Sequence, residues 1–465
     1  MTALAGAGQL AWLAGAAAAW SALLFALPLD PDYTAGELVD HLAAWRQTGV
    51  LYPELGSGPP YRVFNYPPLA LLSARGLAAL GLSEISAGRA VNALGFLALV
   101  GAVAWWVRAR GARGAALAGT VGLLGASFPV LYGAGQFHIE MWAAAGTVAG
   151  FALLDRGVSL RAFALGGAAL ALACFCKQTQ VVPAAVALSW AWTCRRPAAP
   201  AATTAFAALG VLGSALITVA WGFEPWRHML TYTVGTYSLP NLGFQALSHA
   251  APWLLLLGFA AHTARGAGRG AARDAALWFW GGALLWSLSA ARVGSGFPYF
   301  LDLHLATAIW AGPRIFAGGA AGPSRVWAWL LAAQIVGADI GAGAALAKNV
   351  VRLRRLDDRL PMLCARLGEA RSILAEDVGL ARACGRAVVL HPFIMTSLAA
   401  QGRWDPAALV GAVRRGEMEV ALLPFDPREP AAGVHAERWP PSLLAAVAAA
   451  PVVEQVPPGL WVLRW

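Results

Sequence analysis

Charge is scarce in this chain. Asp, Glu, Lys and Arg make up 12% of its 465 residues, about half the share found in soluble domains, which argues against an ordinary soluble enzyme. Lysine is nearly missing, with 2 Lys against 32 Arg. The five Cys form no CxxC pair and no zinc-ligand spacing. No P-loop occurs, and no GxGxxG follows a strand-like run, so a soluble nucleotide site has no support. No internal repeat of the kind that marks inverted-repeat transporters is visible.

What the chain has in excess is apolar: 58% of its residues are hydrophobic, with 21 Trp and 52 Gly. That excludes a disordered chain. The apolar residues come in long runs, such as Leu10–Leu27, Ala90–Val107 and Trp327–Ala347. As helices of roughly 20 residues, such runs cross the roughly 30 Å of a bilayer. The first run is too long for a signal-peptide core and is read as a retained helix. The sequence predicts an α-helical polytopic membrane protein.

The formal charge of +10 reads as topology rather than nucleic-acid binding. The short loops at 106–114, 155–161, 195–200, 262–274 and 313–325 carry 12 Arg and only two acids, Asp155 and Asp274. The positive-inside rule makes these loops cytoplasmic. The acids Asp30, Asp32, Glu37, Asp40, Glu54, Glu84, Glu140 and Glu224 fall in the alternate loops. Residues 66–82 resemble a helix but contain Arg75; as a span they would place Arg108, Arg110 and Arg113 outside. They are therefore expected to lie on the outer surface. Residues 34–48 read as a second surface helix, with Thr34 and Glu37 at capping-box spacing.

Eleven spans are then expected, near 7–27, 88–107, 115–134, 138–154, 162–176, 179–194, 201–222, 243–261, 275–291, 298–316 and 326–347. The N-terminus is inside, and residues 1–347 form the transmembrane domain, with 28–87 as its first outer loop. Residues 348–465 change composition and alternate short apolar runs with helical stretches. That pattern reads as a small extracytoplasmic α/β domain of parallel-type units. Cys364 and Cys384 both fall there. An oxidising compartment permits a bridge, although spacing alone cannot place their Cα atoms within reach.

Four acids, Asp30, Asp32, Glu37 and Asp40, lie within 11 residues just after the first span. A carboxylate at an apolar boundary can serve as a base, and a solvated loop accounts for the same residues. In YRVFNYPPLALL, from Tyr61 to Leu72, two prolines suit the start of a helix. Gln136, His138 and Glu140 stand at the outer end of the fourth span, where ionisable groups are costly and often functional. His138 and Glu140 are also candidate metal ligands together with Asp302 and His304, without any HExxH spacing. A divalent metal therefore stays open and no cofactor is assigned. Lys177, in CFCKQTQ, can neutralise a phosphate at the outer interface or snorkel there. Asp302 and Asp339 sit in spans and need partners, Arg292 being a candidate for Asp302. Cys174 and Cys176 lie in an apolar run and read as packing residues.

These stretches have an order: the acidic first loop, AGELVDHLAAWRQTGVLY, NYPPLALL, GQFHIE, LACFCKQTQVVPAA, GSGFPYFLDLHLATAIWAG, and the tail ILAEDVGLARACGRAVVLHPFIMTSLAAQGRWDP. In that order they resemble the C-type (GT-C) glycosyltransferase superfamily, nearest the bacterial family 39 and aminoarabinose-transferase proteins. The resemblance covers almost the whole chain. It implies transfer of a sugar, with inversion, from a polyprenyl-phosphate donor to an envelope glycan, lipid or protein acceptor at the outer face of the cytoplasmic membrane.

Under this resemblance a first-loop acid is the base: Asp32, with Glu37 and Asp30 behind it. Lys177, with Arg62 or Arg46, stabilises the leaving phosphate. Tyr61, Tyr66 and Trp142 stack on sugar faces, and Gln136, His138, Glu140 and Asp302 line the substrate. The chain departs from its relatives in offering four first-loop acids instead of one, and Glu140 where Asp is common. A lipid or sugar transporter and a non-catalytic membrane scaffold are the competing readings. A transporter predicts ionisable groups deep in several spans, and a scaffold predicts no convergence of Asp32, Glu140 and Lys177.

Overall fold

The structure, a computed structural model, describes residues 2–465 apart from Ser57, Val234, 318–321, Pro430, 432–433 and 457–458. Its architecture is mostly helical, with a small sheet near the C-terminus. Among the described residues, five helical runs are long and apolar enough to cross a membrane. These are Leu4–Ala26, Glu84–Ala109, Ala199–Trp221, Leu239–Gly266 and Arg325–Asp357. The other expected spans are shorter or interrupted helices.

Among the described residues, ten α-helices carry the chain to residue 221: α1 (Thr2–Ala26), α2 (Tyr33–Thr48), α3 (Leu69–Ala79), α4 (Glu84–Ala109), α5 (Gly114–Gly122), α6 (Phe128–Gly133), α7 (Glu140–Arg156), α8 (Leu160–Cys176), α9 (Val181–Cys194) and α10 (Ala199–Trp221). The run at 115–134 is broken. Leu123–Ala126 tightens to a 3-10 turn, Ser127 is extended, and Pro129 opens α6. Proline fits there because a first-turn N–H has no partner within the helix. At 11 residues, α3 is too short to cross, since a helix rises only about 1.5 Å per residue. The two acids in the Arg-rich loops share one cation. Arg110 lies 3.0 Å from Asp155 and 2.5 Å from Asp274.

The loop at residues 28–87 has a core of its own. Leu38, Leu42 and Trp45 of α2 pack with Tyr52, Phe64, Leu71 of α3, Val91 of α4, Phe137 and Ile139. This cluster fixes the loop against the segment that joins α6 to α7. The start of α2 differs from expectation. Asp32, not Thr34, is the N-cap, and it accepts a hydrogen bond from the Thr34 N–H at 2.7 Å. Aspartate caps as well as threonine, and Pro31 sets the approach one residue earlier. Gly49 closes α2 at φ +75°, a conformation suited to glycine.

The helix that carries the last apolar run does not end near residue 347 but continues to Asp357. Beyond it, β1 (Ile373–Ala375), β2 (Val420–Leu423), β3 (Val452–Val456) and β4 (Leu460–Arg464) form one sheet in the order β1-β2-β4-β3. Only β1 and β2 run parallel, and β4 pairs antiparallel with both β2 and β3. The expected parallel-type unit is present at β1–β2, while β4 and β3 add an antiparallel part to the sheet. β3 and β4 are separated by three residues, far too few for the crossover a parallel pair needs. The expected strand in GRAVVLHPF reduces to isolated bridges, Val388 to Ile373 and Leu390 to Tyr61 of the first loop. Cys364 and Cys384 form a disulfide, with Cα atoms 5.1 Å apart.

The tail docks on α2. A Cβ at Gly36 would fall 2.5 Å from the backbone nitrogen of Gly379, so two helices touch where neither has a side chain. Beside that contact, Asp40 is fully buried and paired with Arg62, Arg382 and His391.

Candidate active site

Pro31 sends its two flanking acids in different directions. Asp30 turns inward, where Arg89 holds one oxygen through Nη2 at 2.9 Å and Nε at 3.1 Å. Its other oxygen accepts the Phe137 N–H at 3.3 Å. Arg89 is itself completely buried and donates to the carbonyls of Leu24, Leu27 and Leu29. Asp30 is therefore engaged in a buried ion pair. Asp32 stays partly open, with 18% of its side chain exposed. One oxygen caps α2 and the other lies 3.3 Å from His138 Nε2. Burial alone would raise its carboxyl. The hydrogen bond and charge of His138 and the Thr34 amide outweigh burial and hold Asp32 below its ordinary value.

From Asp32 a polar chain runs across three elements. His138 Nδ1 lies 3.0 Å from Glu140 Oε2, and Glu140 Oε1 lies 2.9 Å from Lys177 Nζ. With acceptors at both ring nitrogens, His138 satisfies both only as the imidazolium. Gln136 adds a carbonyl 3.1 Å from His138 Nε2 while donating to Tyr132 O. Local structure explains the convergence. His138 and Glu140 flank the start of α7, and Lys177 is the residue that ends α8. The NYPP segment is tied to the same place, because Gln178 donates to Asn65 O at 2.7 Å and the Tyr52 hydroxyl to Tyr66 O at 2.8 Å.

A small cavity adjoins Lys177, lined by Glu140, Gln180, Trp286, Tyr299 and Asp302. Asp302 accepts from Gln180 at 3.3 Å, and Gln180 accepts from Thr147 at 2.7 Å. The other Asp302 oxygen is buried and has no hydrogen-bond partner among the described residues. Arg292, the candidate partner, donates instead to Thr233 O. Asp339 is answered by Gln9 at 2.7 Å. A larger cavity of about 410 Å³ lies on the Asp30 side, between the C-terminal end of α1, α2, the first turn of α4 and the Val378–Ala383 helix.

No protein-family model and no curated protein sequence matches the chain. Solved structures do. ArnT from Cupriavidus metallidurans, crystallised bound to undecaprenyl phosphate, matches with a TM-score of 0.63 over 97% of each chain, at 15% identity. The oligosaccharyltransferase AglB from Archaeoglobus fulgidus, in complex with an inhibitory peptide and a dolichol-phosphate, matches at 0.56 over 89% of this chain and 69% of its own, at 10% identity. The chain has the fold of ArnT and AglB. The resemblance read from motif order and the likeness in three dimensions agree.

Several residues that the sequence offers as candidates lie elsewhere in that fold. Tyr61 packs its ring on Trp404, 5.1 Å between centroids, in the tail's core, which leaves no face for a sugar. Arg62 serves Asp40 at 3.2 Å, and Arg46 pairs with Glu84 at 2.5 Å, so neither guanidinium is placed beside Lys177. Glu37 faces His391 of the tail at 3.6 Å. The Trp142 indole donates to Val91 O at 2.6 Å. His304 bonds Ser127 at 2.9 Å and His249 O at 3.0 Å and stacks on Trp253, so it does not join Asp302, His138 and Glu140 around a metal. Among the described residues no group of three or more His, Cys, Asp or Glu is placed to hold a metal ion. Sequence reading missed Arg89, Trp286, Tyr299 and His391. For Arg89 a signal existed: it is an arginine at the start of an apolar run, next in space to an acidic loop.

Proposed function

We propose that the chain is a membrane glycosyltransferase that moves a sugar from a polyprenyl-phosphate donor to an acceptor hydroxyl at the outer face of the cytoplasmic membrane. The observation that carries this reading is the polar chain Asp32–His138–Glu140–Lys177, which sets an ionised carboxylate and an ammonium in one network. The likeness to a protein crystallised with undecaprenyl phosphate supports the lipid-linked donor.

In the proposed reaction, the acceptor oxygen forms a bond to the anomeric carbon as the bond from that carbon to the phosphate oxygen breaks. The acceptor's proton goes to Asp32, and the electron pair leaves with the lipid phosphate. Lys177 offers a positive charge where negative charge develops. Glu140 and His138 hold Lys177 and Asp32 in place. Asp302 and Tyr299 line the adjoining cavity, on the donor side.

The test is transfer in membranes from a radiolabelled polyprenyl-phosphate sugar. Wild-type membranes should release the lipid phosphate and label an acceptor, and a deletion strain should accumulate the lipid-linked sugar by mass analysis. A deletion strain with an unchanged pool, together with membranes that release no lipid phosphate, would remove the reading.

Orientation has its own test. The Arg bias puts the first loop and the tail on the same, non-cytoplasmic side. In a background with Ser at Cys174, Cys176 and Cys194, the variants Gly56→Cys and Ala408→Cys should both react with a membrane-impermeant maleimide on intact cells. Reaction of either only after permeabilisation would overturn the topology.

A further inference from the structure

The contact between the first loop and the tail is built around one imidazole. His391, just before the Pro392–Ala400 helix, is 1% exposed. Its Nε2 lies 2.8 Å from Asp40 Oδ2 and its Nδ1 lies 3.6 Å from Glu37 Oε1. Both acids project from α2. Asp40 also receives the guanidinium groups of Arg62 and Arg382. Burial would raise its carboxyl, but His391 and these two charges outweigh that and hold it well below the usual carboxylate range. Asp40 is therefore an acceptor, and His391 Nε2 is the donor.

The other nitrogen is in a different situation. Among the described residues, His391 Nδ1 and Glu37 Oε1 are both buried and neither has a hydrogen-bond partner. Two bare acceptors facing each other out of water are costly. One proton between them, on the imidazole or on the carboxyl, satisfies both.

Burial raises the Glu37 carboxyl, and the nearby Asp40 charge adds to that. The His391 charge, the Tyr33 hydroxyl and Arg438 work against it. On the far side of His391 stands His41, with ring centroids 4.6 Å apart. Burial, then the charge of His391, push His41 well below its usual range, so it stays neutral.

We propose that His391 is a positioning residue: a single proton shared with Glu37 fastens the tail to α2 and so sets the direction of Asp32 at that helix's N-terminus. The proposal rests on reading Asp32 as the base. The same tail helix reaches the first residue of α2, because the Phe393 N–H donates to the Tyr33 hydroxyl at 3.2 Å. The docked state holds one proton more than the undocked state. Above the pH at which the undocked groups give up that proton, the docking constant falls as pH rises, by up to about tenfold per pH unit, until the docked pair itself gives the proton up; the contact is therefore complete at low pH.

The decisive measurement is hydrogen exchange of α2 and of residues 385–400 in the purified full-length protein, run alongside transfer, from about pH 5 to about pH 9. In the wild type, exchange in both segments should accelerate together as pH rises, and kcat should fall with it while the donor KM holds. Glu37→Gln supplies a permanent amide donor to His391 Nδ1. It should stay protected, and active, at the alkaline end. His391→Asn should exchange fast at every pH. Wild-type exchange that follows only the intrinsic chemical rate with pH, or a Glu37→Gln profile that follows the wild type, overturns the proposal. Exchange decides the latch without turnover, so an absence of transfer by the wild type counts against the glycosyltransferase reading alone.

Discussion

Asp32→Asn is expected to lower transfer by about 10²–10⁴-fold, the usual loss on removing a general base, while leaving folding as it is. The substitution is nearly isosteric, and asparagine caps a helix as well as aspartate does. The bond from Thr34 to residue 32 at 2.7 Å should therefore survive, and α2 should keep its start. What disappears is the negative charge 3.3 Å from His138 and the basic oxygen proposed to take the acceptor's proton. Turnover should fall in kcat, with the donor KM little changed, because Lys177 and its Glu140 partner at 2.9 Å are untouched. The comparison variant is Glu37→Gln, which should keep transfer near neutral pH since Glu37 faces the tail. Near-normal turnover by Asp32→Asn alongside a dead Glu37→Gln would move the base to Glu37.

The contrast between these neighbouring acids shows what the sequence could convey. Apolar runs, the bias of Arg between loops and the order of short motifs are properties of contiguous residues. They gave the helical membrane fold, the helices at 34–48 and 66–82, and the grouping of Asp32, His138, Glu140 and Lys177. A scaffold reading required Asp32, Glu140 and Lys177 to lie apart, and through His138 they form one chain. Partner choice is a property of three dimensions. Asp30 and Asp32 differ by one proline in sequence, yet one meets Arg89 of α4 and the other His138. Arg62 and Arg46 are cations in the same loop as the acids, so charge alone could not separate them from phosphate ligands. Each had a nearer carboxylate, Asp40 or Glu84, 22 and 38 residues away along the chain. The sheet was half legible for a related reason. The parallel β1–β2 pair has an intervening helical stretch, whereas the β3–β4 pair depends on a short connection and carries mixed burial.

Arg89→Met should be the most destabilising single change in the first-loop region. Methionine matches the stem in length but removes all five donors. Asp30 would keep a carboxylate with 2% of its side chain exposed and without the Arg89 charge, and the carbonyls of Leu24, Leu27 and Leu29 would lose the guanidinium's hydrogen bonds. Breaking one side of a buried pair costs about 3–5 kcal/mol, a large part of a typical folding free energy. Arg89→Lys should fall between the wild type and Arg89→Met, since an ammonium cannot reproduce the forked geometry. The double variant Arg89→Met with Asp30→Leu should recover part of the loss, because it removes the stranded charge. The measurement is thermal unfolding of the detergent-purified proteins, with transfer normalised to folded protein. Asp30→Asn, which keeps an acceptor for Arg89, should retain transfer per folded molecule, unlike Asp32→Asn. An Arg89→Met protein that melts with the wild type would show that Asp30 does not depend on this pair, and would reopen Asp30 as a reacting group.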